Sequence, residues 1–210
     1  MPEIQFLCYY EVTKQMGWKA MTKVYVVRHG ETDWNRQGRL QGATDIPLNT
    51  SGIAQATACR NYFHDNKAVA IFTSPLKRAS DTAAIINEPF QLPITQLSAF
   101  QERAFGQAEG MTYEERSKVY PRKNYPGQES FSHFIARLKE GLRIIEQQYP
   151  NDAVILVAHG AVIHNLFQIV ENDDLFPQNA RLSNGGISTM YTKDSKWWLG
   201  KYNETHHLMV

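Results

Sequence analysis

The spacing of apolar positions changes several times along the chain and divides it into alternating strands and helices. Near-continuous apolar runs at 24–27, 69–73 and 153–158 read as buried strands, the last as a central strand covered on both faces. A shorter run at 94–97 adds a strand, and a pair at 187–192 and 197–202, joined by a polar turn, closes the chain. Helices are predicted at 53–65, 76–87, 130–149 and 161–170. The helix at 130–149 carries Phe131, Phe134, Ile135, Leu138, Leu142 and Ile145 at helical spacing and stops at Pro150. Thr50 or Ser51 caps the first helix, whose apolar face is Ala54, Ala58, Tyr62 and Phe63. Pro75 suits the first position of the second. Strand and helix alternate, which predicts α/β class: a single three-layer α/β/α domain with a mainly parallel central sheet.

Two stretches interrupt this rhythm. Residues 105–129 read as irregular and carry Tyr113, Tyr120 and Tyr125 beside Arg116, Lys118, Arg122 and Lys123. An insertion of that composition fits a lid over a site, or a solvated excursion. Residues 1–22 fit poorly with the rest: the patch 4–10 is an edge strand, a packed arm or an extension absent from the working protein. Met21 is an alternative start, and the domain is taken as 23–205.

Composition then narrows the class. With 210 residues, 42% of them hydrophobic and 20% charged, the chain has enough material for one full core. A formal net charge of +1 without a long run of one sign argues against a nucleic-acid partner. No apolar run is long enough to span a bilayer, and the N-terminus lacks the order of a secretory signal. Cys8 and Cys59 form neither a disulfide framework nor a zinc site, so a reducing cytoplasm is expected.

The chemistry gathers at predicted strand ends. Arg28-His29-Gly30 follows the first strand and His159-Gly160 follows the central one. In open α/β sheets that edge is where ligands bind. Imidazole is a nucleophile at neutral pH, a guanidinium offers a planar fork to phosphate oxygens, and Gly30 would let the backbone approach an anion. Lys77 and Arg78 open a helix, where cations oppose the macrodipole unless an anion binds there. Glu102 follows the third strand. His64, His133, His164, His206 and His207 are read as structural or exposed, since no metal-ligand spacing appears.

In order, RHGET-DWN, LQG, FTSPLKRA, QER-FG-EG, VAHG and SNGGIS make the sequence resemble the histidine phosphatase superfamily, also called the phosphoglycerate-mutase-like family, from Lys23 to about Tyr202. The resemblance implies a phosphoglycerate-mutase-like fold and a metal-independent phosphomonoester hydrolase that works through phosphohistidine on a small phosphorylated metabolite, without a cofactor. It implies His29 as nucleophile, Glu102 as proton donor, and Arg28, Arg78 and His159 as the phosphate pocket, with Asn35 as a neutral donor. Thr32, Gln41, Gly42, Gly160 and Asn184 match positions near the pocket. Two other readings stand beside this one: a cofactor-dependent phosphoglycerate mutase and a non-catalytic phospho-ligand binder. Such mutases carry tyrosine where Phe105 stands, lysine where Tyr113 stands and a longer insertion, so the hydrolase is favoured. Whether the chain forms a homodimer is left open.

Overall fold

The computed structural model describes residues 21–171 and 182–209. The patch 4–10 and Cys8 therefore lie outside the described residues. Among these, a sheet of order β3-β2-β4-β1-β5-β6 runs through the middle. Its strands are β1 (Thr22–Arg28), β2 (Ala70–Thr73), β3 (Ile94–Gln96), β4 (Ala153–Ala158), β5 (Ile187–Lys193) and β6 (Lys196–Leu199). The pairs β3–β2, β2–β4 and β4–β1 are parallel, and β5 and β6 are antiparallel additions. The α/β expectation with a mainly parallel central sheet holds.

Helices cover both faces: α1 (Asp33–Arg36), α2 (Thr50–Asp65), α3 (Lys77–Asn87), α4 (Tyr113–Val119), α5 (Phe131–Gln148) and α6 (Gly160–Glu171). Alternate strand residues point to opposite sides, and two separate cores result. Val24, Val26, Phe72, Val154 and Leu156 pack with Phe134, Leu138, Leu142 and Ile145 of α5 and Val162, Leu166 and Phe167 of α6. Tyr25, Val27, Ile71, Ile155 and Val157 pack with Cys59 and Phe63 of α2 and Ala79, Ala83 and Ile86 of α3. Full burial of such a side chain contributes roughly 1.5–3 kcal/mol. Helix propensities differ by at most about 0.7 kcal/mol between ordinary residues, so the apolar stripe governs where α5 lies.

The β1–β4 register positions the chemistry. Arg28 pairs with Ala158, and His29 N–H donates to Ala158 O at 3.0 Å. Parallel neighbours that end in step bring both His-Gly pairs to one edge.

The structure departs from the sequence reading in detail. β1 begins at Thr22, two residues before the predicted run, and Thr22 Oγ1 donates to Tyr149 O at 2.8 Å. β2 starts one residue later than predicted, β3 stops one earlier, and β6 runs 196–199 instead of 197–202. Neither Thr50 nor Ser51 caps α2. Asn49 does, accepting from Gly52 N–H at 2.9 Å. The buried stripe of α2 is Gly52, Ala56, Cys59 and Phe63, whereas Ala54 is exposed. Pro75 lies outside α3, whose cap residue Leu76 has no side-chain bond; Asp45 Oδ1 from a distant loop accepts Lys77 N–H at 2.8 Å instead. Phe131 is 54% exposed and its ring faces the Arg103 guanidinium at 5.6 Å, so it leaves the predicted α5 core face.

Helix also forms in two stretches where none is predicted. α1 is closed by a reciprocal cap between Thr32 and Asn35, and α4, inside the 105–129 insertion, by one between Thr112 and Glu115. The insertion is tied at its neck by a Phe105–Gln128 bridge. There Gly106 has φ +54°, and a Cβ on it would sit 2.1 Å from Pro126 O. No helix among the described residues is long and apolar enough to cross a membrane.

Candidate active site

The carboxyl edge of β1 and β4 holds His29 and His159, 2% and 0% exposed, with ring centroids 5.1 Å apart. His29 Nδ1 lies 2.7 Å from Gly30 O. A carbonyl only accepts, so Nδ1 carries the proton and Nε2 keeps its lone pair. Burial first, then Arg78 and Arg28, hold the His29 pKa well below the ordinary imidazole value. The ring is thus neutral and its free nitrogen nucleophilic.

His159 has the other tautomer. Arg78 Nε donates to His159 Nδ1 at 3.1 Å, so the His159 proton sits on Nε2, which is buried without a protein partner. Burial, Arg78 and His29 depress its pKa in that order. Arg78 is 1% exposed. Its Nη1 donates to Thr44 O at 2.8 Å and its Nη2 to Gly42 O at 2.7 Å. Arg28 Nη1 donates to Leu182 O, while its Nε is buried and unpartnered. Burial lowers both guanidinium pKa values and Glu102 pushes them back up. A buried donor without a partner is costly, on the order of 1–3 kcal/mol. Two of them, Arg28 Nε and His159 Nε2, in one cationic pocket are what an incoming anion would satisfy.

Glu102 accepts from Arg103 N–H at 2.9 Å and from Ala161 N–H, in the first turn of α6, at 3.1 Å. Burial nevertheless raises its pKa, against the pull of those amides and of Arg78 and Arg28. A carboxyl so placed can hold a proton beside two cations, as a general acid requires.

The structure therefore brings Arg28, His29, Arg78, Glu102 and His159 together. Asn35 joins them: its Oδ1 accepts from Thr32 N–H and Thr32 Oγ1, each at 3.1 Å, and from Asn184 Nδ2 at 3.3 Å. Asn184 Nδ2 also donates to His29 O at 2.9 Å. Thr32 and Asn184 thus act as scaffold around Asn35 and the His29 backbone. Gln41 is 7% exposed, with Oε1 unpartnered. Gly42 supplies a carbonyl to Arg78, and a Cβ on Gly160 would meet Arg28 Nε only at 3.7 Å, an ordinary contact. Lys77 is exposed and stays outside the pocket. Gly30 serves packing: its missing Cβ makes room for the Gly52 backbone.

Arg137 and Glu129 escape the sequence reading, and Glu109, the acid of the EG pair in the QER-FG-EG stretch, is given no role there. Arg137 pairs bidentately with Glu129 at 2.7 and 2.8 Å and donates to Ala99 O and Gln101 O at 2.8 and 2.6 Å, fixing the segment that ends in Glu102. Glu109 binds the 43–44 loop. The loop that Glu109 holds and the carbonyls that Arg137 holds are remote in sequence, so no local pattern reveals these contacts. Of the remaining histidines, His64, His133 and His206 are exposed, and His207 bonds Gly185 O at 2.9 Å. Among the described residues no group of three or more His, Cys, Asp or Glu side chains could hold a metal ion.

Paired imidazoles and paired guanidiniums at the carboxyl edge of a mostly parallel sheet define an anion-handling α/β enzyme. The chain belongs to the histidine phosphatase superfamily: the family model for its branch 1 matches residues 24–205. The chain is 47% identical over 188 residues to the uncharacterized phosphatase PhoE of Bacillus subtilis, covering 90% of this chain and 97% of that one. It is 29% identical to the metal-independent phosphoserine phosphatase of Arabidopsis thaliana, covering 90% and 84%. Among solved structures, the phosphoserine phosphatase of Entamoeba histolytica in complex with 3-phosphoglyceric acid superposes with a TM-score of 0.75 at 30% identity, covering 90% and 100%. Phosphoglycerate mutase of Bacillus anthracis, at 20% identity and a TM-score of 0.78 over 91% and 97%, shares the fold.

Proposed function

We propose that this enzyme hydrolyses small phosphomonoesters through a phosphohistidine on His29. One observation carries the reading: His29 Nδ1 is spent on Gly30 O, which leaves Nε2 as the free nucleophile in a pocket with unpartnered donors. In the first step Nε2 bonds to phosphorus as the ester P–O bond breaks. The leaving alkoxide takes the proton from the Glu102 carboxyl. Arg28, Arg78 and His159 Nε2–H stabilise the charge spread over the phosphoryl oxygens, and Asn35 adds a neutral donor. In the second step water bonds to phosphorus, its proton passes to the Glu102 carboxylate, and the P–N bond breaks, which restores both groups. These side chains supply the charge that a metal would otherwise provide.

Hydrolysis is favoured over phosphoryl exchange by the state of the insertion. Arg116 stacks on Tyr113 at 5.2 Å and Lys118 pairs with Glu114 at 2.8 Å, so these cations are engaged within α4. Tyr125 packs edge-on against Phe105 and Tyr120, which takes those rings into the insertion's own packing. The relatives named phosphoserine phosphatases point to small phosphorylated metabolites as the substrate class. The catalytic domain is taken as residues 23–205, with 105–129 as its lid and residues 1–22 outside the chemistry.

The test is phosphate release from a panel of phosphomonoesters, phosphoserine and a generic aryl phosphate included, with EDTA throughout. It is joined to intact-mass analysis after an acid-free quench. Turnover with an added phosphoryl mass that His29→Ala lacks is expected. Adduct formation in His29→Ala would place the nucleophile elsewhere.

A further inference from the structure

We propose that Glu109 is a positioning residue that sets the Arg78 guanidinium and, through it, the His159 tautomer. This rests on the phosphatase reading above. The Glu109 carboxylate accepts from Ala43 N–H at 3.0 Å, Thr44 N–H at 2.9 Å, Phe105 N–H at 2.8 Å and Thr44 Oγ1. All four partners donate, which suits a carboxylate and no amide. Gly42 has φ +58°, and a Cβ there would lie 2.2 Å from Glu109 Oε1, so only glycine lets the carboxylate approach this loop.

The loop so clamped presents Gly42 O and Thr44 O to the two terminal nitrogens of Arg78. With its fork fixed there, the remaining Arg78 Nε–H reaches His159 Nδ1. That bond keeps the His159 proton on Nε2, where a donor is needed. If Arg78 swings, Nδ1 loses its donor and the ring is free to turn a lone pair toward the phosphate. Glu109 Oε1 also holds Phe105 N–H, three residues beyond Glu102. One oxygen thus ties the loop behind the phosphate-facing cation to the segment that carries the acid.

Three measurements test this: kcat and KM on a generic aryl phosphate, the same in an Arg78→Ala background, and the ¹⁵N imidazole spectrum of the full chain. Glu109→Gln turns an NH2 against two of the four donors. A displacement of about 1 Å at a catalytic group costs on the order of 10²-fold in rate. The expected fall in kcat is thus about ten- to a hundredfold, with parent-like circular dichroism and a mixed His159 tautomer. In the Arg78→Ala background the same change costs several-fold less than in the parent, because the route through Arg78 is gone and only the tie from Phe105 to the Glu102 segment remains. Thr44→Val keeps both backbone donors and removes only the hydroxyl. It runs the same cycle with a fall of several-fold and serves if Glu109→Gln does not fold. Equal losses in both backgrounds, or an unchanged His159 tautomer, would overturn the proposal. Failure of the parent to turn over any phosphomonoester would sink the hydrolase reading alone, since the tautomer measurement still decides the role of Glu109.

Discussion

Gly30 and Gly52 meet backbone to backbone: a Cβ on Gly30 would lie 2.4 Å from the Gly52 carbonyl oxygen, and one on Gly52 would lie 2.1 Å from Glu31 O. The loop that carries His29 therefore rests on the first turn of α2. Neither contact can relax cheaply, because both partners are main chain. Gly52→Ala should cost about 1–3 kcal/mol, the usual range for overpacking. At about 2–4 °C per kcal/mol for a chain of this size, the melting temperature falls measurably. Gly160→Ala, facing only a 3.7 Å contact, should melt close to the parent. Equal melting temperatures for Gly52→Ala and the parent would show that the loop yields without strain.

The strands announce themselves as apolar runs, and a His-Gly pair at the end of each of two runs is a local signal. The register that joins them, Arg28 opposite Ala158, follows once β1 and β4 are parallel neighbours. The buried stripe of α2 was misread because Gly52 has no apolar side chain to mark it, so exposed Ala54 stood in for it. Asn49, Thr50 and Ser51 are all good caps, and only the hydrogen bond to Gly52 N–H chooses among them. α4 carried a readable signature in Thr112-x-x-Glu115, whereas α1 closes with Asn35 in place of the usual Glu or Gln. The roles of Glu109, which stands in the EG pair of a quoted motif, and of Arg137 are not local. Glu109 holds residues 65 and 66 positions away, and Arg137 holds carbonyls 36 and 38 positions away.

Arg137→Met should separate the acid's support from the acid itself. Arg137 and Glu129 are 16% and 13% exposed, so removing Arg137 leaves a largely buried carboxylate with only the exposed His133 Nδ1 at 2.8 Å as a side-chain partner. The cost is at most about 3–5 kcal/mol, the range for a fully buried pair broken on one side, and His133 reduces it. The carbonyls of Ala99 and Gln101 lose their donor as well. A urea midpoint well below the parent is expected. An unchanged midpoint would mean that the pair contributes nothing net and that the segment before Glu102 is held by its other contacts.

The pH dependence has a defined sign. His29 and His159 have folded pKa values well below 6.5, so the unfolded chain binds more protons below that point. Their contribution to stability is complete above 6.5 and is lost as pH falls toward the folded values. Glu102 acts oppositely: its folded pKa is raised above 4.5, so its contribution is complete below 4.5 and is lost as pH rises through the folded value. Denaturant titrations at a series of pH values should show stability falling below about 6.5, and His159→Gln should flatten that fall. The rate reports the same groups. Deprotonation of Glu102 sets the alkaline limb of kcat/KM for an ester with a poor leaving group, and Glu102→Gln should abolish that limb. A limb that survives in Glu102→Gln would assign the proton donor elsewhere.

The fate of the phosphoenzyme separates hydrolysis from phosphoryl exchange. A mutase must hold its acid substrate against the phosphohistidine and keep water out, which calls for cations free to grip a carboxylate. Here Arg39 Nη1 is held by Gly110 O at 2.5 Å, Arg116 by stacking on Tyr113, and Arg103 by Glu129 O at 3.0 Å. Glu102 meanwhile sits within the pocket, where it can take a proton from attacking water. Supplied with 3-phosphoglycerate and a trace of 2,3-bisphosphoglycerate, the enzyme should release free phosphate and form little 2-phosphoglycerate. Fast isomerisation with little phosphate would sink the hydrolase reading and make Arg122 and Lys123 the first candidates for the missing grip. If neither product forms, the same partition is measured on the best ester from the phosphate-release panel, with its parent alcohol and a competing alcohol present. Transfer to the competitor in preference to water would then overturn hydrolysis on the enzyme's own substrate.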